Sequence, residues 1–171
     1  LQALATAHAG RPAHGIAWWL NWLGKGTPVI FRSRLHRTPC QKSNQPGGVM
    51  ARLANPDFAK CVTDSFSKQK AMRLVRATLP VVEHGRTEIH VPHWDGIEQQ
   101  HGFVHGGVVG MIADSAAGYA AMTLVPANAS VLTVEYKMNL VAPADGEKLV
   151  ARGQVVRPGR TLIVTKAEVF A

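Results

Sequence analysis

Residues 101–121, HGFVHGGVVGMIADSAAGYAA, restrict the fold more than any other stretch of the chain. Val108, Val109, Ile112, Ala116, Tyr119 and Ala120 recur at helical spacing, so the segment reads as a loop, a glycine entry at Gly106-Gly107 and then a helix. Glycine and alanine keep most of that helix small all round, which suits a helix lying close against sheet backbone on several sides. Each interior glycine costs about 1 kcal/mol of helix propensity relative to alanine, so a packing or site requirement is needed to explain them. Asp114 is a lone carboxylate among Ile112, Ala113, Ala116 and Ala117, with no lysine or arginine within a turn. It could lie on a solvated face or cap a shorter helix starting at Ser115. It could also be a reaction group, because burying an unpaired carboxylate is expensive.

The paired glycines favour the third reading. A helix N-terminus offers unsatisfied N–H groups at its positive dipole end, and glycine lets a ligand oxygen approach that backbone closely. A backbone donor for an oxyanion, with a carboxylate that attacks or activates water, is a minimal acyl-transfer site. Gly106 and Asp114 are eight residues apart, about 12 Å of helical rise. Two groups so placed cannot act on one carbonyl carbon, so the site would have to be shared between two copies of the chain.

Along the rest of the chain, Asn55-Pro56-Asp57 signals a helix start, with Asn55 as cap and Pro56 in the first position. That helix would run through Phe58, Val62 and Phe66 to about Gln69. Residues 74–82 and 87–91 read as strands on either side of a His84-Gly85 turn. A loop over 92–100 carries Trp94 and Gln99 into the central helix. Residues 130–141 alternate, with Leu132, Val134, Tyr136, Met138 and Leu140 on one face and Val131, Thr133, Glu135, Lys137 and Asn139 on the other. Residues 148–157 and 161–170 then form a hairpin across Pro158-Gly159, a pair suited to a type II turn. Strands before and after one long apolar helix imply an α+β fold, an antiparallel β-sheet wrapped around a long central helix.

The run Gln99-x5-His105-Gly106-Gly107-x6-Asp114, followed by VLTVEYKMNLVAPA and by VVRPGRT, resembles the hotdog-fold acyl-CoA thioesterases, nearest to the phenylacetate-degradation (PaaI) type. The resemblance runs from about Asn55 onward. It implies a hotdog fold and hydrolysis of an aryl- or medium-chain acyl-CoA to free acid and CoA. It casts Asp114 as nucleophile or general base and the Gly106 N–H as the group that polarises the carbonyl. Gln99 would orient water or thioester, and Thr133 would supply a hydroxyl beside the carboxylate. His105 would fix the loop, with a direct proton-transfer role the lesser option. Gly107, Arg157 and Arg160 would contact substrate, the arginines through coenzyme A phosphates. Coenzyme A arrives as part of the substrate and no separate cofactor is expected. The implied assembly is a homodimer, in turn a dimer of dimers (a homotetramer). The family usually adds one more strand after the point corresponding to Ala171. Two other functions remain open: a hotdog hydratase or dehydratase, and a non-catalytic acyl-CoA sensor.

Charge and composition narrow the rest. At 171 residues one domain is the default. The net charge of +8 suggests nucleic acid until it is located. Residues 1–49 carry six basic side chains and no acidic one, leaving thirteen basic against eleven acidic residues from Met50 onward. Nucleic-acid binding is therefore not expected of the domain. The leader also holds Trp18, Trp19 and Trp22 and lacks sustained periodicity. Residues 1–49 are expected to be a poorly structured basic leader, whether a targeting segment, sequence upstream of a start at Met50 or a short interaction segment using IAWWLNWL, with 50–171 forming a hotdog thioesterase domain that lacks its last strand. No apolar run is long enough to span a bilayer. Cys40 and Cys61 supply neither a disulfide framework nor metal spacing, and a reducing cytoplasm is the simplest setting. His101 and His105 have the i,i+4 spacing of zinc ligands, but the glycines around them argue against a helix there, so no metal is expected.

Overall fold

The computed structural model describes residues 27–36 and 54–171. Its elements are β1 (Thr27–His36), α1 (Phe58–Lys68), α2 (Lys70–Leu74), β2 (Thr78–Glu83), β3 (Arg86–Pro92), α3 (Gly106–Met122), β4 (Ser130–Lys137), β5 (Lys148–Arg157) and β6 (Leu162–Phe170). The strands form one antiparallel sheet in the order β2-β3-β5-β6-β1-β4. It wraps around α3, the α+β arrangement expected from the helix's small surface. Ile112, Ala113, Ala116, Ala117, Ala120 and Ala121 are fully buried. The core on one side of α3 joins Val62, Met72, Ile89, Val91 and Leu149 to Ile112 and Ala116.

How closely helix and sheet approach is shown at Gly153 on β5. A Cβ there would lie 2.2 Å from the Ala116 carbonyl oxygen. That carbonyl also accepts a 2.7 Å hydrogen bond from Thr87 Oγ1 on β3. Thus α3 is seated on β3 and β5 by backbone contact, which only glycine permits at position 153.

Four local expectations need correction. First, the leader is not wholly apart from the domain: Thr27–His36 pairs with β6 on one side and β4 on the other. The proline-led, β-branched and aromatic run PVIF within it is strand-forming, a signal masked by the tryptophans and glycines around it. Strand β6 is therefore not an edge strand, since β1 pairs along it. Met50 and the remainder of 1–49 lie outside the described residues. Second, residues 74–77 are not strand, because α2 and Val75 turn Met72 and Val75 into the core. Arg76 makes the turn out at φ 58, and the strand starts at Thr78. Third, α1 starts two residues later than the Asn55-Pro56 signal suggests; Asp57 is the cap position, and Asn55 Oδ1 accepts from the Asp57 N–H at 3.0 Å. Fourth, the β5–β6 connection is not a type II turn, since Gly159 lacks a positive φ. Its ladder slips between Val155 and Arg157, and Gly159 is instead required by a close pass of the Leu162 carbonyl, 2.2 Å from a Cβ placed there.

Strand β4 departs from clean alternation in a way that shapes the site. Arg32 pairs with Glu135 and Ser33 with Thr133, so Val134 is an extra residue in the ladder. Such a bulge exchanges the faces of a strand on either side of it. Thr133 and Met138, which alternation assigns to opposite faces, both face α3: Thr133 bonds Asp114 and Met138 packs on Ala113 and Ala117.

Candidate active site

Two groups of candidate residues lie on α3, one at its middle and one at its N-terminus. At the middle, Asp114 is half-buried, and Thr133 Oγ1 donates to its Oδ1 at 2.7 Å. This engages one carboxylate oxygen, and among the described residues Oδ2 has no hydrogen-bond partner. Asp114 and Thr133 border a cleft of about 570 Å³ between the end of α1, the middle of α3 and the start of β4. Asp114 therefore neither caps a shorter helix nor lies on an open face.

At the N-terminus, α3 starts at Gly106 with His105 as cap. His105 Nδ1 accepts from the Gly107 N–H at 2.9 Å, and the His105 carbonyl accepts from Val108 and Val109 at 2.9 and 3.3 Å. Among the described residues the Gly106 N–H has no protein acceptor. It is the orphan donor a helix start leaves over, and it sits at the positive end of the dipole. The His105 ring folds back so tightly that a Cβ on Gly107 would lie 2.9 Å from Nδ1. That contact accounts for the second glycine of the pair. By accepting through Nδ1, neutral His105 carries its proton on Nε2.

The loop before the helix is held from several directions. Gln99 N–H donates to the Phe103 carbonyl at 2.8 Å, and Gly102, at φ 80, returns a bond to the Gln99 carbonyl at 3.0 Å. Gln99 Oε1 accepts from the His101 N–H at 2.7 Å, so its side chain helps close its own loop, while Gln100 is exposed. His93 ties this loop to the β4–β5 connection, with Nδ1 2.7 Å from the Gly146 carbonyl and Nε2 3.0 Å from Glu98 Oε1.

One chain thus brings Asp114 to Thr133 and sets His105, Gly106 and Gly107 together at the helix start, with Gln99 bonded within the loop before it, but does not bring the two groups together. Arg157 and Arg160 are exposed at the far end of the sheet, where Val155 bonds Gly85 and Gly85 bonds Thr123 beyond the C-terminus of α3. Sequence reasoning missed the groups that line the cleft beside Asp114, above all Gln69, Ser115 and Tyr119. Tyr119 reads as an ordinary core position, and Gln69 is brought in only by the break between α1 and α2. Burial pushes the Tyr119 phenol up from its ordinary pKa, partly opposed by a hydrogen bond with Ser65. Also unforeseen is Glu88, buried on β3 with Arg86, Arg152 and His90 around it. Burial alone would raise the Glu88 carboxyl, but the His90 hydrogen bond and the two guanidinium groups hold it below its ordinary value.

An antiparallel sheet closed on a long, small-surfaced central helix is the hotdog arrangement. Comparison with known proteins agrees. Residues 101–171 match the thioesterase superfamily model. A thioesterase family protein of Silicibacter pomeroyi is 38% identical over 66% of this chain and 95% of its own, with a TM-score of 0.60. The chain belongs to the thioesterase superfamily. A curated protein of Saccharolobus solfataricus, named provisionally as an esterase, is 28% identical over 66% of this chain and 80% of its own length. The PaaI protein of the E. coli phenylacetic acid degradation operon is 13% identical, covers 70% of this chain and 97% of its own, and has a TM-score of 0.57. At that identity the likeness is one of fold. Among the described residues, no helix is long and apolar enough to cross a membrane.

Proposed function

We propose that this thioester hydrolase acts on acyl-CoA, with an aryl- or medium-chain acyl group, at a site shared by two copies of the chain. The observation that carries the reading is the Thr133–Asp114 hydrogen bond of 2.7 Å at the cleft. It fixes one oxygen of a half-buried carboxylate and presents the other to a reactant. Asp114 either attacks the thioester carbonyl or takes a proton from the water that does. The oxyanion that forms is stabilised by the Gly106 N–H of the second copy, and the carbon–sulfur bond then breaks; where Asp114 is the attacking group, water then hydrolyses the acyl-aspartyl anhydride to free acid and carboxylate. The thiolate of coenzyme A is a good leaving group, so a strong general acid is not needed. Gln99 and His105 position the loop and the Gly106 donor, while the Gly107 N–H is taken up by His105 Nδ1 and is not offered to the substrate. The exposed Arg157 and Arg160 are available to coenzyme A phosphates.

The second copy is supported by two features. The eight residues from Gly106 to Asp114 correspond to about 12 Å along α3, too far for one carbonyl. Among the described residues strand β4 ends the sheet, and Leu132 and Val134 on it are 63% and 52% exposed. Pairing β4 with its own copy about a two-fold axis would cover that edge. It would also run the two α3 helices in opposite directions, so that each Asp114 meets the other's helix start. In this reading the dimer is the catalytic unit, a dimer of dimers forms without adding groups to the site, and the enzyme works in the cytoplasm.

Thiol release from a panel of acyl-CoAs tests the proposal. The wild-type chain should release coenzyme A, and Asp114→Ala should lose nearly all turnover while keeping its circular dichroism and melting temperature. A folded Asp114→Ala protein with most of its activity would overturn the assignment.

A further inference from the structure

Outside the cleft, a strongly charged surface lies on the short helix α2 and its flanks. Residues 68–76, KQKAMRLVR, carry Lys68, Lys70, Arg73 and Arg76 and no acidic side chain. From Met50 onward thirteen basic residues stand against eleven acidic ones, so four of the thirteen are gathered in nine positions of an otherwise balanced domain. All four are exposed. Among the described residues none of the four is in an ion pair, whereas Lys60, Arg86, Arg152 and Lys166 each are.

The fold holds this row outward. Met72 and Val75 are buried in the core and pin α2 from beneath. That leaves Lys70, Arg73 and Leu74, at i, i+3 and i+4, together on the opposite face. Leu74 is 74% exposed, more than any other large apolar side chain among the described residues. Arg76, in the left-handed region at φ 58, lies over the Trp94 ring with its Cζ 4.0 Å from the centroid. The row begins at Lys68, which borders the cleft.

We infer that α2 docks the protein peripherally on an anionic phospholipid surface, with Lys70 and Arg73 against headgroup phosphates and Leu74 entering the acyl boundary. Like charge keeps a second copy of the same patch away. The core of a protein interface is depleted of charged residues, and here a single leucine stands among cations. A nucleic acid would take the cations but give Leu74 nothing to enter. A lipid leaflet takes both. Because Lys68 borders the cleft, docking sets the cleft mouth beside the lipid surface. The inference does not depend on Asp114 being the reaction centre.

Co-sedimentation of the full chain with vesicles tests this, using phosphatidylcholine alone and a two-to-one mixture with phosphatidylglycerol. The wild-type chain should sediment with the mixed vesicles only, and should be released as salt is raised. Lys70→Gln and Arg73→Gln should each weaken the partition about fivefold, the contribution of one surface cation, and Leu74→Ser should weaken it further. These three side chains are exposed and outside the site, so melting, and thiol release without vesicles, should match wild type. Three results would each overturn the inference: no binding to the mixed vesicles, equal binding to the neutral ones, or a partition that survives the triple variant, as it would if the basic residues of 1–49 carried it. A fourth is vesicle binding indifferent to Leu74→Ser with equally tight binding to a DNA duplex, which would make the row a nucleic-acid surface.

Discussion

Gly106→Pro isolates the proposed oxyanion donor. Gly106 is the first residue of α3, the one helical position where proline is favoured and where the missing N–H breaks no helical bond. His105 before it is already at φ −61, ψ 133, the extended region that a following proline demands. The new ring meets Leu140, whose Cδ1 lies 2.9 Å from a Cβ placed at Gly106. Leu140 is 55% exposed and can swing away. Helix and fold should therefore survive, while the donor disappears. Losing one such donor costs about 2.7–4 kcal/mol of transition-state stabilisation, or 10²–10³ in kcat. Gly106→Ala is the control, since it meets the same leucine and keeps the N–H. Steady-state thiol release, with circular dichroism on both variants, should show kcat collapsing for proline and nearly retained for alanine. Equal kcat values for two folded variants would refute the assignment of the Gly106 N–H to the oxyanion.

Three further outcomes follow from the same geometry. Thr133→Val keeps β-branching on β4 but removes the hydroxyl on Asp114 Oδ1; kcat should fall by about ten- to a hundredfold, the worth of a hydrogen bond to a charged group, with melting little changed. Gly153→Ala pushes a methyl group into the Ala116 carbonyl and should lower stability by about 1–3 kcal/mol in urea titration, since backbone on both sides must shift. The third concerns acid. The folded Glu88 carboxyl titrates below its unfolded value, so its ion pairs with Arg86 and Arg152 stabilise the fold above the unfolded pKa. That stability is lost as pH falls through the lower, folded value. Below pH of about 4 the wild-type melting temperature should therefore drop more steeply than that of Glu88→Gln; parallel curves would show that Glu88 contributes nothing to the acid response.

Much of the fold was legible because α3 and the strands after it obey local rules. The Gly106-Gly107 start, the helical spacing to Tyr119 and the hairpin of β5 and β6 depend on residues close in sequence. The parts that were not legible depend on distant ones. The place of β1 is decided by the edges of β6 and β4, more than ninety residues downstream. The Val134 bulge, which sets Thr133 and Met138 on one face, arises from a register slip against β1 that alternation within β4 cannot reveal. Gly153 looks like a weak strand residue until the Ala116 carbonyl is seen against it. Of the site, Asp114 stood out as a charge on an apolar helix and His105-Gly106-Gly107 as a helix start. Gln69 carried no local signal, because its place in the cleft comes from a helix break and from two residues about fifty positions away.

Mixing two inactive variants tests the central claim, that one reaction centre is assembled from two chains. Asp114→Ala and Gly106→Pro proteins, unfolded together and refolded at equal concentration, should regain about a quarter of wild-type turnover. Half of the re-formed dimers would be mixed, and each would hold one intact site of two. If mixed dimers are shown to form, by differential tagging and native mass spectrometry, and turnover stays at the level of the separate variants, the shared site is contradicted.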